Sequence, residues 1–140
     1  MRHLLAAVTI ALAAGCVSIS EMDATAPRTG CAVGEAMVET KLFLGMNKPG
    51  GEVSETEFAH FIEQEVTPRW REGYTVLEGA GLWYSEQRRM TDREQTRVLV
   101  RLHDGSAAAS SGIEAIRAAY ARAFAQDAVL RIDHPACADF

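Results

Sequence analysis

At 140 residues, 48% hydrophobic and 24% charged, the chain has room for one proper core and is too apolar to be disordered throughout. Its formal net charge is −5, with acidic and basic residues interspersed, so it lacks the basic footprint of a nucleic-acid binder.

The chain opens with MRHLLAAVTIALAAGC. Arg2 and the amino terminus supply positive charge. Leu4 to Ala14 is an apolar stretch interrupted only by Thr9. This is the layout of an export signal, and it falls short of the roughly 20 apolar residues that a permanent bilayer span needs. Residues 1–15 are therefore expected to be a signal peptide outside the fold. Small residues at Ala14 and Gly15 precede Cys16, and the stretch resembles the Leu-Ala-Gly-Cys lipobox of bacterial lipoproteins. It departs from that pattern in having Ala13 three positions before the cysteine, with the leucine one earlier at Leu12. Ordinary signal-peptidase cleavage after Ala13 or Ala14 competes. Lipid attachment at Cys16 is the preferred reading, because a cysteine directly after a signal core rarely arises by chance. It places the protein on a membrane by its N-terminal lipid, facing the periplasm or the cell exterior. The alternative is a soluble periplasmic or secreted protein. In an oxidising compartment Cys31 and Cys137 are expected to pair as a disulfide, against the alternative of two buried free thiols.

Residues 16–36, polar and carrying Pro27 and Gly30, read as a tether. The domain is then 37–140. Met37 to Leu44 alternates, with Val38, Thr40, Leu42 and Leu44 on one face and Glu39, Lys41 and Phe43 on the other, so it reads as a half-buried strand. Ser54 and Glu57 form a capping box, with Val53 and Phe58 as its hydrophobic staple; the helix runs to near Val66 and stops at Pro68. Gly73 to Tyr84 reads as a strand bent or bulged at Gly79-Ala80-Gly81. A turn at Ser85 to Arg88 leads into a strand from Glu94 to His103. Ser111 and Glu114 suggest a second capping box, opening a helix that ends near Ala125. Ala128 to Asp133 is the last strand, closed by Pro135. The order strand, helix, strand, strand, helix, strand is the ferredoxin-like split βαβ pattern, an α+β fold with a four-stranded antiparallel sheet and two helices on one face. Its usual strand order, 4-1-3-2, puts Cys31 and Cys137 at the same end of adjacent strands.

The stretches ETKLFLG (39–45), VTPRW (66–70), GYTVLEGAGLW (73–83), EQTRVLV (94–100) and AIRAAYARAFAQDAVLR (115–131), with the late Cys137, resemble an uncharacterised bacterial family of small exported proteins, many of them described as lipoproteins. The resemblance implies export and a compact α+β domain, and no activity. Trp70 stands where relatives carry phenylalanine.

A ferredoxin-like sheet leaves one face uncovered. Alternation suggests that Glu39, Lys41 and Phe43, then Arg97, Leu99, Arg101 and His103, then Arg131 and Asp133 lie there. That face leans basic. Arg97, Arg101 and Arg131 are candidate donors to an anionic ligand, and the competing reading is a solvated face of cross-strand ion pairs. Arg69, at the first helix's exit, is a further anion-binding candidate, against the reading that it ties helix-end carbonyls or pairs with an acid such as Glu94. Trp70, Tyr74, Trp83 and Tyr84 suggest packing ahead of a sugar platform, and Tyr120 suggests core. His60, His103 and His134 lack metal-ligand spacing, and no nucleophile-elbow, phosphate-loop or dinucleotide motif occurs, so no cofactor or metal is expected. The leading expectation is a lipid-anchored binding or interaction module that engages an envelope protein. The alternative is a small-molecule binder or enzyme that holds an anionic ligand on the open sheet face, as a homodimer in which two sheets form an α+β barrel.

Overall fold

The computed structural model describes residues 30–140. The expected signal peptide (residues 1–15), Cys16 and the expected tether up to residue 29 lie outside the described residues. Strand β1 spans Glu35–Gly45. The Asn-Lys-Pro-Gly-Gly stretch after it makes a two-residue ladder, β2 (Asn47–Lys48) with β3 (Gly51–Glu52). Helix α1 (Glu55–Phe61) starts at the predicted capping box: Glu57 N–H donates to Ser54 Oγ, and Ser54 N–H donates to the Glu57 carboxylate. A π-helical turn, Ile62–Val66, carries it on toward Pro68. Strands β4 (Thr75–Ser85) and β5 (Met90–His103) form a long hairpin, followed by α2 (Ala107–Phe124) and β6 (Leu130–Ala138).

The sheet order is β4-β5-β1-β6, and every neighbouring pair is antiparallel. Counting these four strands in chain order gives 4-1-3-2, as predicted. Besides β5 opening at Met90 rather than Glu94, three details differ from the sequence reading. The β4–β5 register runs unbroken from Thr75↔Val100 to Ser85↔Met90, so Gly79 and Gly81 make no bulge. They leave a gap without side chains on the open face of β4, between Leu77 and Trp83. Helix α2 starts at Ala107 rather than after Ser111. Ser106 caps it by accepting from Ala109 N–H, and three consecutive alanines with high helix propensity fill its first turn. Strand β6 runs through Pro135 to Ala138. It is an edge strand paired only with β1, where a missing N–H costs no ladder bond.

That extension draws β1 back to Glu35, opposite Ala138, and brings the two cysteines together. Cys31 and Cys137 are bonded with a Cα–Cα distance of 5.5 Å, closing a sequence separation of 106. Gly34 makes the approach feasible. Its φ is +72°, and a Cβ there would lie 2.0 Å from the Ala138 carbonyl oxygen.

Both helices pack on one face of the sheet. Leu42, Leu44 and Leu99 from the strands meet Phe61, Ile116 and Tyr120 from the helices, all at most 4% exposed. The Tyr120 hydroxyl donates to Gly45 O at 2.7 Å, and burial raises its pKa. Partners directly opposite in an antiparallel pair share a face. Thr40 lies opposite Arg101 and Asp133, Leu42 opposite Leu99 and Arg131, and Leu44 opposite Arg97. So Arg97, Leu99, Arg101, His103, Arg131 and Asp133 lie on the face that the helices pack against, not on the open face, and this corrects the sequence-based placement. The open face carries Glu39, Lys41 and Phe43 as predicted, but its other residues are mainly apolar.

Candidate functional site: a cleft at the N-terminus of α2

All four candidate arginines have carboxylate partners. Arg97 is 9% exposed, reaches Glu55 of α1 and Glu78 of β4, and lies 5.9 Å from the Phe58 ring centroid. Arg131 grips Asp133, Ser110 Oγ and Glu114, tying β6 to α2. The Asp133 hydrogen bonds raise its pKa. Arg69 pairs with Glu65 and donates to Glu65 O at 2.6 Å, which is the helix-end tie and not a pair with Glu94. Glu94 accepts from Asn47 N–H instead. Arg97 and Arg131 act as struts, with long apolar stems buried and charged heads neutralised by an adjacent element, whereas Arg69 is exposed and ties off its own helix end.

Arg101 differs. It is 8% exposed and stacks 5.5 Å from the centroid of Trp70, itself in the core. Its carboxylate partner is Glu72 at 2.9 Å, a side chain 81% exposed on the loop before β4. A second guanidinium nitrogen reaches Arg69 O at 3.4 Å, and Nε is buried with no hydrogen-bond partner. Arg101 lines a cleft of about 510 Å³ together with Arg69, Glu72, His103, Asp104 and Ser106. The first turn of α2 forms another wall, where the Ala107 and Ala108 N–H groups lack helical acceptors, Ala109 N–H being capped by Ser106 Oγ, and the helix dipole favours negative charge.

His103, 4% exposed, belongs to the same wall. Gly105 N–H donates to its Nδ1 at 3.1 Å, so Nε2 carries the proton of the neutral ring and donates to Thr40 Oγ1 at 2.8 Å. Thr40 in turn donates to Asp133 Oδ1 at 2.5 Å. Burial, then the Arg101 charge, pushes the His103 pKa down, and the Arg131 hydrogen bonds lead in lowering that of Asp133. Thr40 is 0% exposed, so this chain of hydrogen bonds ties β5 through β1 to β6 rather than presenting a nucleophile.

Sequence reasoning picked out Arg69 and Arg101, which the fold brings to one cleft, and Arg97 and Arg131, which it leaves elsewhere. It missed Glu72, Asp104 and Ser106. The Asp104-Gly105-Ser106 stretch before an alanine run is a helix-start signal that would have found the last two. Trp70 is core and Tyr74 half-buried against it, as packing predicts, whereas Trp83 and Tyr84 are 44% and 55% exposed. Among the described residues, no group of three or more His, Cys, Asp or Glu side chains is placed to hold a metal ion.

The sheet-and-two-helix layout with this cleft marks an α+β domain of the split βαβ kind. Residues 39–140 match the family described as protein of unknown function, DUF3574, and the chain belongs to that family. No curated protein matches it. Among solved structures it is similar to a phage SAM lyase in complex with S-methyl-5'-thioadenosine, at 12% identity and a TM-score of 0.53 over 79% of this chain and 95% of that one. It is also similar to a phage SAM lyase in the apo state, at 10% identity and a TM-score of 0.55 over 79% of this chain and 97% of that one. At such identities the likeness is one of fold.

Proposed function

We propose that this chain is an exported binding module, anchored to a membrane by lipid on Cys16, whose cleft at the N-terminus of α2 takes a small anionic ligand, a phosphate or carboxylate. The observation that carries the reading is Arg101. Its guanidinium is desolvated on Trp70 at the wall of a cleft, its Nε is buried without a hydrogen-bond partner, and its one carboxylate partner is a highly exposed side chain on a loop. An ion pair with so exposed a partner is weak and exchangeable. A ligand anion replacing Glu72 meets a charge already stripped of water, plus the N–H groups of α2. Export is supported by the signal-like residues 1–15 and by the Cys31–Cys137 bond, which suits an oxidising compartment.

The second reading, an enzyme in the same cleft, draws only on the phage proteins, whose printed activity is their own. Against it, both ring nitrogens of His103 are engaged and Thr40 is hidden.

The test is calorimetric titration of the mature chain, as processed by its host, with inorganic phosphate and with citrate. Binding in the range of about 10 µM to 1 mM is expected, corresponding to roughly 4 to 7 kcal/mol. Glu72→Gln should tighten it severalfold, because the internal competitor is gone, and Arg101→Gln should abolish it. No heat from the wild type or from Glu72→Gln up to about 10 mM ligand, on the same scale, would refute the reading.

A further inference from the structure

The uncovered face of the sheet is a separate surface and supports a separate conclusion. On β5 it shows Thr96, Val98, Val100 and Leu102, opposite Gly45, Phe43, Lys41 and Glu39 of β1. On the flanking strands it adds Leu77 and Trp83 from β4 and Leu130 from β6, which are 48%, 44% and 55% exposed. None of these apolar side chains is covered by either helix. With four strands about 4.8 Å apart and paired segments about eight residues long, the face spans roughly 500 Å² in projection. Side-chain relief brings that near the roughly 800 Å² per partner of a standard interface.

Its central charges are self-complementary, while Glu94 and Asp92 at the hairpin end are held within the chain by Asn47 N–H and Arg88. Near the centre of β1, Glu39 and Lys41 form an ion pair, and both are about one-third exposed on the side chain. The pair leaves Glu39 Oε1 buried without a well-directed hydrogen bond. Trp83 stands beside a hollow of about 810 Å³ that begins on this face, at Phe43, Gly81, Thr96 and Leu130, and runs round the end of the sheet to Arg117 and Arg131.

We infer that a second copy of this chain covers the face, sheet against sheet, as a two-fold dimer. With the two-fold axis crossing β1 beside residue 40, Lys41 of one copy meets Glu39 of the other, twice, and the apolar strands pack around that centre. One negative and one positive residue exchanged by the axis make the interface isologous. Burial of the apolar rim supplies the driving force, and the paired charges fix the register.

Sedimentation equilibrium of the mature chain in density-matched detergent tests this. A dimer is expected at micromolar concentration. Lys41→Glu places four acidic side chains at the centre and Glu39→Lys four basic ones, and each should weaken association at least tenfold. Mixing the two variants should restore it, because their charges complement each other across the axis. Thermal melts of the variants check that both remain folded. The inference is overturned if the wild type stays monomeric up to about 100 µM, far above the Kd of a standard interface. It is also overturned if the single variants still dimerise, or if their mixture does not. A monomer that sediments with a different protein when extracted from membranes gives the face to that partner and likewise overturns it. None of these results bears on anion binding in the cleft, which lies on the other side of the sheet.

Discussion

Replacing both Cys31 and Cys137 by serine should lower the melting temperature by about 20 °C. The bond closes a loop with a sequence separation of 106. The loop-closure entropy removed from the unfolded chain by a cross-link of that span is about 16 cal/mol/K, or roughly 4.8 kcal/mol at 25 °C. A domain of this size unfolds with an entropy near 230 cal/mol/K, by the usual value of about 2.1 cal/mol/K per residue. The ratio of the two gives the shift. Native contacts change little, because β1 and β6 remain paired from Glu35↔Ala138 to Phe43↔Leu130 without the sulfurs. The destabilisation therefore acts through the unfolded state, and should appear mainly as slower folding rather than faster unfolding. The assay is thermal denaturation followed by circular dichroism, with stopped-flow refolding, of the oxidised wild type and the double variant. Wild type in excess dithiothreitol should match the variant. A fall of less than about 5 °C, well under what the loop entropy requires, would refute the reasoning.

Three further outcomes are expected. Leu99→Ala removes a side chain that is 0% exposed between the helices and the sheet centre, and should cost about 2–5 kcal/mol in chemical denaturation. Ser54→Ala removes one half of the capping box, and should cost about 1 kcal/mol in the same assay. It should also raise the pKa of Glu57, which hydrogen bonds from Lys48 and Ser54 hold down at about 2, measurable by NMR titration. His103 is held neutral by burial and by Arg101, so the unfolded chain takes up its proton first as pH falls below the ordinary 6.5. Stability should therefore decline from just below pH 6.5 down to the depressed folded pKa. His103→Gln should flatten that segment of the stability–pH curve; an unchanged slope would show that another group titrates there.

Much of the fold was written in local patterns. Alternation in MVETKLFL, the Ser54–Glu57 box with its Val53–Phe58 staple, and the Ile113–Ile116–Tyr120 stripe each depend on residues within a few positions of one another. Those patterns give the order of elements. The order restricts the sheet to few topologies, and the topology brings Cys31 to Cys137. Boundaries were less legible where composition overrode a signal. The alanines at 107–109 extend α2 past the apparent Ser111 start, and Pro135 sits inside β6 because an edge strand leaves its missing N–H facing outward.

What the sequence determined by itself is that β5 has two faces, Arg97-Leu99-Arg101-His103 and Thr96-Val98-Val100-Leu102. It did not determine which one the helices cover. Counting polarity sends the arginines to solvent and the valines inside, and the fold does the reverse. The reason is tertiary. Glu55 and Glu78 meet Arg97, Glu72 and the Trp70 ring meet Arg101, and Glu114 meets Arg131, each from a distant part of the chain. Neutralised in this way, a guanidinium on a long apolar stem packs beneath a helix. The same choice leaves Val98, Val100 and Phe43 uncovered, and so creates both the cleft beside α2 and the apolar face available to a second copy.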